Sequence, residues 1–297
     1  MQLIAWVSMV YLGLTFGLSF SIVKIILREI ESPIVILFWQ SCFSSVLLFA
    51  FSVYSLNTIK DIVNNIGALI LLACFGVIIP NLILYLSAAH LSAGTISLLL
   101  ALIPFCAYII VLILRIEQLD FVRLFGVILG FAAILFLVFP GNANNKTYFN
   151  IWLLTGLLVP IFIASTNIFL SSVRFKKVKP VHIAFGMNLL SASILSLMFP
   201  SNINFWLFTH STKLVFYIFL LSFIGSIGFI IFIKLVKNYG PVFASQVNYL
   251  VTISGIMWGF IILSEVHSMR FWVSLFLIIG GLFLVRPIKV SEHISTN

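Results

Sequence analysis

Several polar side chains lie inside long apolar runs, where they could bind a solute. Ser245, Asn248, Tyr249 and Thr252 recur three or four residues apart, which places them on one face of a helix. Amide and hydroxyl groups inside an apolar run need a reason. One reason is hydrogen bonding to a substrate, and the other is hydrogen bonding between membrane helices. The sequence leaves both open.

Other runs carry side chains of the same types. Asn81 and Tyr85 lie four residues apart, and Asn167 lies in a later run. Phe16 and Phe20, also four apart, could supply aromatic walls. Amide, hydroxyl and aromatic groups without an Arg in the middle of a run favour a neutral or zwitterionic metabolite over a strong anion. We predict that these residues, with the preceding four, bind the substrate.

Three further residues are candidates for gating or for a purely structural role. Glu117 and Glu265 each end an apolar run, where a carboxylate can also cap a helix or pair with a nearby Arg115 or Arg270. Pro104 lies inside a run and must bend its helix, because proline cannot donate the backbone hydrogen bond.

Lys24 lies near the end of the first run, where a lysine usually extends towards the lipid headgroups. The alternative is that its ammonium group reaches an anionic substrate. The acidic residues all lie outside the middle of the runs, although proton or sodium coupling usually relies on buried carboxylates. We therefore expect uniport or exchange, or coupling through the glutamates at the helix ends.

No motif indicates an enzyme, a cofactor or a metal site. The sequence has no HExxH, GxSxG or phosphate-binding loop. Its cysteines, Cys42, Cys74 and Cys106, lie singly inside apolar runs without CxxC spacing. We expect a protein without catalytic activity.

The composition identifies the environment. Hydrophobic residues make up 62% of the chain, charged residues 8%, and the mean hydropathy is +1.25. Soluble domains carry about 25% charged residues, so most of this surface must face lipid. The net charge of +9 does not indicate nucleic-acid binding, because the basic residues flank the apolar runs and form no recognition patch. The partner is the lipid bilayer.

Ten apolar runs are each close to the length of a membrane-spanning helix. They cover residues 4–26, 34–55, 66–88, 93–114, 122–139, 151–172, 181–199, 214–236, 241–263 and 271–286. The chain also contains one stretch twice, at Leu91–Glu117 and Tyr239–Glu265. We predict a first five-helix repeat at 1–140, a linker at 141–150, a second repeat at 151–290 and a cytoplasmic tail at 291–297.

The basic residues predict the orientation. With the N-terminus inside, most of the Lys and Arg residues fall on the cytoplasmic side, above all in the Arg174–Lys179 cluster. Both termini are then cytoplasmic. Because each repeat has an odd number of helices, the second repeat must cross the membrane in the opposite sense. The predicted fold is an all-α polytopic bundle of ten transmembrane helices, built as two inverted five-helix repeats.

This pattern resembles the EamA-type branch of the drug/metabolite transporter superfamily along almost the whole chain. The residues that carry the resemblance are Phe16-Gly17 with Lys24, Ser32-Pro33, Ala101-Leu102-Ile103-Pro104 with Glu117, Gly126 and Gly130, Gly240 to Glu265, and Gly280-Gly281. The chain departs from the family at Gln40, Thr252 and Phe16, where the family often has Arg, Pro and Trp.

The resemblance implies an inner-membrane carrier of small metabolites, often amino acids that are exported. It implies a central cavity between the repeats, with the fifth and tenth helices at the periphery, and alternating access as the mechanism. Two alternatives stay open: an exchanger or uptake carrier for a nucleoside-like or heteroaromatic metabolite, and a membrane scaffold or receptor that transports nothing. The abundance of Ile, Phe, Lys and Asn suggests a bacterial gene, and we expect a monomer or homodimer.

Overall fold

A computed structural model describes residues 2–30, 32–52, 58–115, 118–138, 151–171, 175, 177–200, 211–239 and 244–284. The α-helices in this part of the chain are α1 (Gln2–Leu27), α2 (Pro33–Ser52), α3 (Thr58–Asn64), α4 (Ile66–Leu72), α5 (Ile79–Ala88), α6 (Ala93–Leu100), α7 (Ile103–Ile113), α8 (Phe121–Val138), α9 (Ile151–Gly156), α10 (Leu158–Leu170), α11 (Pro180–Met198), α12 (Thr212–Tyr239), α13 (Val247–Leu263) and α14 (Met269–Leu284). The predicted linker, the tail and Glu117 lie outside the described residues.

Apart from α3, the helices correspond to the ten apolar runs. Within the described residues, seven helical segments are long and apolar enough to cross a membrane, and α8, α13 and α14 are shorter apolar helices. Large hydrophobic side chains such as Phe260 and Phe276 are exposed on the outside of the bundle, as expected for a surface in contact with lipid. The buried apolar residues form one cluster to which both halves of the chain contribute.

Local sequence signals explain where several helices begin. Pro33 and Pro180 occupy first-turn positions of α2 and α11, where the missing N–H costs nothing. The Ser92 hydroxyl accepts the N–H of Thr95 at 3.0 Å and caps α6. The Asp120 carboxylate accepts the N–H of Val122 at 2.8 Å at the start of α8. These caps bind N–H groups that the first turn of a helix leaves unpaired.

Three membrane helices are interrupted shortly before a proline. The interruptions are the π-helical turn Ala73–Ile78 before Pro80, the turn at Ala101–Leu102 before Pro104, and the turn at Leu157 before Pro160. Each proline removes one backbone hydrogen bond and crowds the preceding turn. The backbone therefore departs from regular α-helical geometry in that turn. The helix predicted to bend at Pro104 is thus interrupted two residues before that proline.

Helices of the two halves pack against each other in pairs. The principal pairs are α1 with α13, α8 with α14, and α2 with α11. The contact of α1 with α13 is close because glycine leaves room for the neighbouring backbone. A Cβ atom at Gly17 would lie 2.1 Å from Ser254 Oγ and 2.7 Å from the backbone nitrogen of Gly255.

The substitution Gly17→Ala tests this contact. The added methyl group must separate α1 from α13, and overpacking of this kind costs about 1–3 kcal/mol. We expect a lower melting temperature for the purified variant in detergent. Gly280→Ala is the matched control, since nothing lies within 4 Å of a Cβ atom there, and alanine favours the helix. Equal melting temperatures for the two variants would contradict the packing argument.

Candidate functional site

A cavity of about 200 Å³ lies in the centre of the bundle, between the two halves. Helices α1, α2, α5, α10, α11, α12 and α13 all contribute to its lining. Among the described residues that line it, none is an Asp, Glu, Lys, Arg or His. The cavity is therefore formed by aromatic, aliphatic, hydroxyl and amide groups. The π-helical turn, α6 and α7 reach it next to their interruptions, at Gly76, Leu100 and Ile103.

Six of the nine predicted binding residues line this cavity. They are Phe16, Phe20, Asn81, Tyr85, Asn167 and Asn248. The ring of Phe16 fits against Gly228, where a Cβ atom would lie 2.3 Å from Phe16 Cε1. Four different helices, α1, α5, α10 and α13, thus bring residues that are distant in sequence to one site.

The other three predicted binding residues are not in the lining. Thr252 donates its hydroxyl to the carbonyl oxygens of Ser97 at 2.8 Å and Asn248 at 2.7 Å, so it joins α13 to α6. Ser245 is buried, and its carbonyl oxygen accepts the side-chain amide of Asn248 at 2.9 Å. Tyr249 packs, half-buried, against the apolar core. Of the polar residues 245–252, only Asn248 lines the cavity.

Sequence reasoning missed six polar residues of the lining, which are the hydroxyl residues Ser19, Ser41, Ser44 and Thr166 and the amide residues Gln40 and Asn188. Gln40, which had been noted only as a departure from the family pattern, accepts the hydroxyl proton of Tyr85 through its amide oxygen. Asn188 lies in the middle of α11 and also lines the cavity. Both are polar groups inside an apolar run, so the rule that selected Asn81 and Asn167 would have found them.

Lys24 and Glu265 form an ion pair at one end of the bundle. Lys24 Nζ lies 3.1 Å from Glu265 Oε1 and donates to the carbonyl oxygen of Leu91 at 2.7 Å. The expectation that Lys24 extends to the headgroups is therefore wrong. The side chains are only 21% and 11% exposed, because the start of α6 covers them. We call this contact the Lys24–Glu265 bridge.

Glu265 also binds the start of α6. Its two carboxylate oxygens accept the N–H groups of Ala93 at 2.7 Å and Gly94 at 3.2 Å. The carboxylate thus satisfies two N–H groups that the helix leaves unpaired, at the end of the helix dipole that favours negative charge. Ser264, in the left-handed conformation with a φ of 53°, turns the chain back so that Glu265 reaches this position. Glu265 belongs to the second half, and its partners belong to the first.

A second polar contact joins the halves at the opposite end. Asp61 Oδ2 lies 2.6 Å from His182 Nδ1, and the imidazole is almost fully buried. The two ends are opposite because α2 crosses the whole bundle between the end of α1 and the start of α3. We call this contact the Asp61–His182 bridge.

His267 lies beside Glu265 and has a pKa below its ordinary value. Burial is the main cause, the charge of Lys24 adds to the shift, and the Glu265 carboxylate opposes it. The imidazole stacks on Phe271 with ring centroids 4.0 Å apart. Its Nε2 atom is buried without a hydrogen-bond partner in the described part of the chain. Folding therefore disfavours protonation of this imidazole.

The shift predicts a loss of stability in acid. Below about pH 6.5, His267 binds a proton more readily in the unfolded chain than in the folded chain. The free energy of unfolding therefore decreases as the pH decreases. We expect a smaller decline in melting temperature for His267→Gln than for the unsubstituted protein as pH falls from about 7.5 to about 5.5. His90→Gln, at an exposed imidazole stacked on Trp152, is the control. Equal pH dependence of both variants would refute the assignment.

In the described residues, no three His, Cys, Asp or Glu side chains come together as metal ligands.

Comparison with known proteins agrees with this architecture. A crystal structure matches the fold with a TM-score of 0.62 at 15% sequence identity, covering 93% of this chain and 96% of the other. In all, 19 chains of solved structures match, and no curated protein does. The profile of the EamA-like transporter family matches residues 3–139 and 150–286. The chain consists of two such repeats in inverted orientation, confirming the predicted fold, and it belongs to the EamA-like transporter family.

Proposed function

We propose that this membrane transporter carries small neutral or zwitterionic metabolites, such as amino acids, out of a bacterial cell by alternating access. The observation that carries the proposal is a cavity between two inverted halves whose described lining contains no charged residue. In this arrangement, the halves rock around a central site and open it to one side at a time. The linker at 141–150 connects the repeats, and both termini are cytoplasmic, so the Lys24–Glu265 bridge faces outwards.

The cavity supports this substrate class by its size and its chemistry. Its volume of about 200 Å³ is below the roughly 300–1,000 Å³ of pockets for drug-sized ligands. A net charge buried there would find no opposite charge in the described lining, and an unpaired buried charge is costly. A small molecule without net charge avoids this cost.

Aromatic side chains favour a second candidate substrate. Phe16, Phe20, Phe229 and Phe232 all line the cavity. Their faces suit a flat ring, because aromatic groups attract one another in stacked or edge-to-face arrangements. A heteroaromatic or nucleoside-like metabolite, taken up or exchanged, is therefore the alternative to an exported amino acid.

The two bridges provide the gates of the mechanism. The Lys24–Glu265 bridge holds the halves together at one end, and the Asp61–His182 bridge holds them together at the other. Access from either side requires the corresponding bridge to separate. The interruption before Pro104 lies between Leu100 and Ile103, both of which line the cavity, so a change of angle there alters the cavity wall.

The positions of the acids support transport that is not driven by an ion bound with the substrate. Asp61 and Glu265 take part in the two bridges at the ends of the bundle. Neither they nor any other described acid lines the cavity. Uniport or exchange follows, with Glu265 in a gating and structural role.

Solute flux distinguishes a transporter from a scaffold or receptor. We expect saturable flux of neutral amino acids or nucleosides into proteoliposomes. Asn248→Leu, which replaces a lining amide with an apolar group of similar size, should reduce the flux by about tenfold or more. Ile253→Ala, at an exposed side chain of the same helix, is the matched control. Absence of saturable flux for every compound, or equal flux of both variants, would contradict the proposal.

A further inference from the structure

Three asparagines of the cavity are held in the same way by their own helices. Asn81 donates its side-chain amide to the carbonyl oxygen of Val77 at 2.8 Å, and Asn188 donates to that of Ala184 at 2.9 Å. Asn248 donates to the carbonyl oxygen of Ser245, also at 2.9 Å. The atom that faces a carbonyl oxygen must be the NH2 group, because two oxygens would repel each other. The amide oxygen of each asparagine is therefore left for another donor.

Hydroxyl groups of the lining are used similarly. Thr166 donates to the carbonyl oxygen of Phe162 at 2.9 Å, and Ser19 donates to that of Thr15 at 3.1 Å. Their hydrogens are bound by the backbone, so their oxygens remain available as acceptors. Two lining atoms that can donate, Asn167 Nδ2 and Ser41 Oγ, are buried without a hydrogen-bond partner in the described structure. The second hydrogen of each asparagine NH2 group is also open, so the lining presents acceptors and donors side by side.

We infer that the amide oxygens of Asn81, Asn188 and Asn248, which are held in position by the bonds of their NH2 groups, determine specificity by accepting hydrogen bonds from N–H or O–H groups of the substrate. The substrate class is an uncharged molecule with several such donors and at least one acceptor for Asn167, for example a carboxamide or an amino-substituted heterocycle. This inference rests on the proposed function, since it assumes that the cavity holds the transported molecule.

The same arrangement disfavours anions. A carboxylate has no hydrogen to donate, so it would leave the open oxygens of the three asparagines without a donor. The described lining offers no cation to compensate, and a buried acceptor without a donor pays the full cost of its desolvation. A neutral amide or amine supplies the missing hydrogens without introducing a charge.

Asn188 gives the sharpest test, because α11 holds it deep in the apolar bundle and its side chain is only 8% exposed. Asn188→Leu keeps the approximate volume of the side chain and removes the oxygen. Asn188→Asp keeps the oxygen and adds a negative charge, which favours a cationic ligand. Ser193→Leu is the matched control on the same helix, since Ser193 is exposed and donates to the carbonyl oxygen of Leu189.

The experiment measures thermal stabilisation of the purified protein by matched compounds. The donor-rich probes are cytosine, adenine and L-glutamine, and the dimethylated amino derivatives of the two bases lack the donor hydrogens. Succinate is the anion, and putrescine is the cation. We expect the donor-rich probes to stabilise the protein, and dimethylation or Asn188→Leu to weaken their binding by about tenfold. Asn188→Asp should gain binding of putrescine, and Ser193→Leu should behave as the unsubstituted protein.

Several results would overturn the inference. They are stabilisation by succinate equal to that by the donor-rich probes, binding unaffected by dimethylation, no effect of Asn188→Leu, and no stabilisation by any probe. If Asn188→Leu fails to fold, Asn188→Ala replaces it, with the same outcomes.

Flux through proteoliposomes separates this inference from the proposed function. Saturable flux of succinate would preserve transport and overturn the preference for donors. Stabilisation by donor-rich probes without saturable flux of any compound would preserve the binding rule and overturn transport.

Discussion

The binding of Glu265 by Lys24 and by the start of α6 is the contact on which the arrangement of the two halves depends. A carboxylate in apolar surroundings must be paired and hydrogen-bonded, and here one lysine and two backbone N–H groups satisfy it. All of these partners lie in the first half, whereas Glu265 ends a helix of the second. The need to satisfy one charge therefore fixes the relative position of α1, α6 and α13 at this end of the bundle.

Ionic contacts and uncharged hydrogen-bonding groups lie in different parts of this protein. Among the described residues, the ionic contacts between the halves lie at the two ends, in the Lys24–Glu265 and Asp61–His182 bridges. The cavity between them contains amides, hydroxyls and aromatic rings. In the proposed mechanism, the two ends separate and rejoin while the residues of the cavity select the substrate by hydrogen bonds rather than by charge. Prolines interrupt three of the spans beside the cavity, where a change of helix direction alters its shape.

Much of the architecture could be predicted from the sequence, because apolar runs, prolines and caps act locally. The ten runs and the inverted repeats follow from composition and spacing, and the interruption before Pro104 follows from its missing N–H. The partner of Lys24 could not be predicted in this way, since Glu265 is distant along the chain. Helical spacing placed Ser245, Asn248 and Thr252 on one face, but that face is shared between the cavity and α6. Only the neighbouring helix decides which residue faces which surface.

We propose that the cavity opens alternately to the two sides of the membrane and that the Lys24–Glu265 bridge closes it on one side. The most direct test is the labelling of a cysteine at Ser41, which lines the cavity, in a background where Cys42, Cys74 and Cys106 are replaced by alanine. An impermeant maleimide is applied to either face of sealed vesicles. We predict labelling from both faces, and a severalfold faster reaction from the face of the Lys24–Glu265 bridge when Lys24→Gln is added. Labelling from one face alone, at a rate that Lys24→Gln leaves unchanged, would contradict the account.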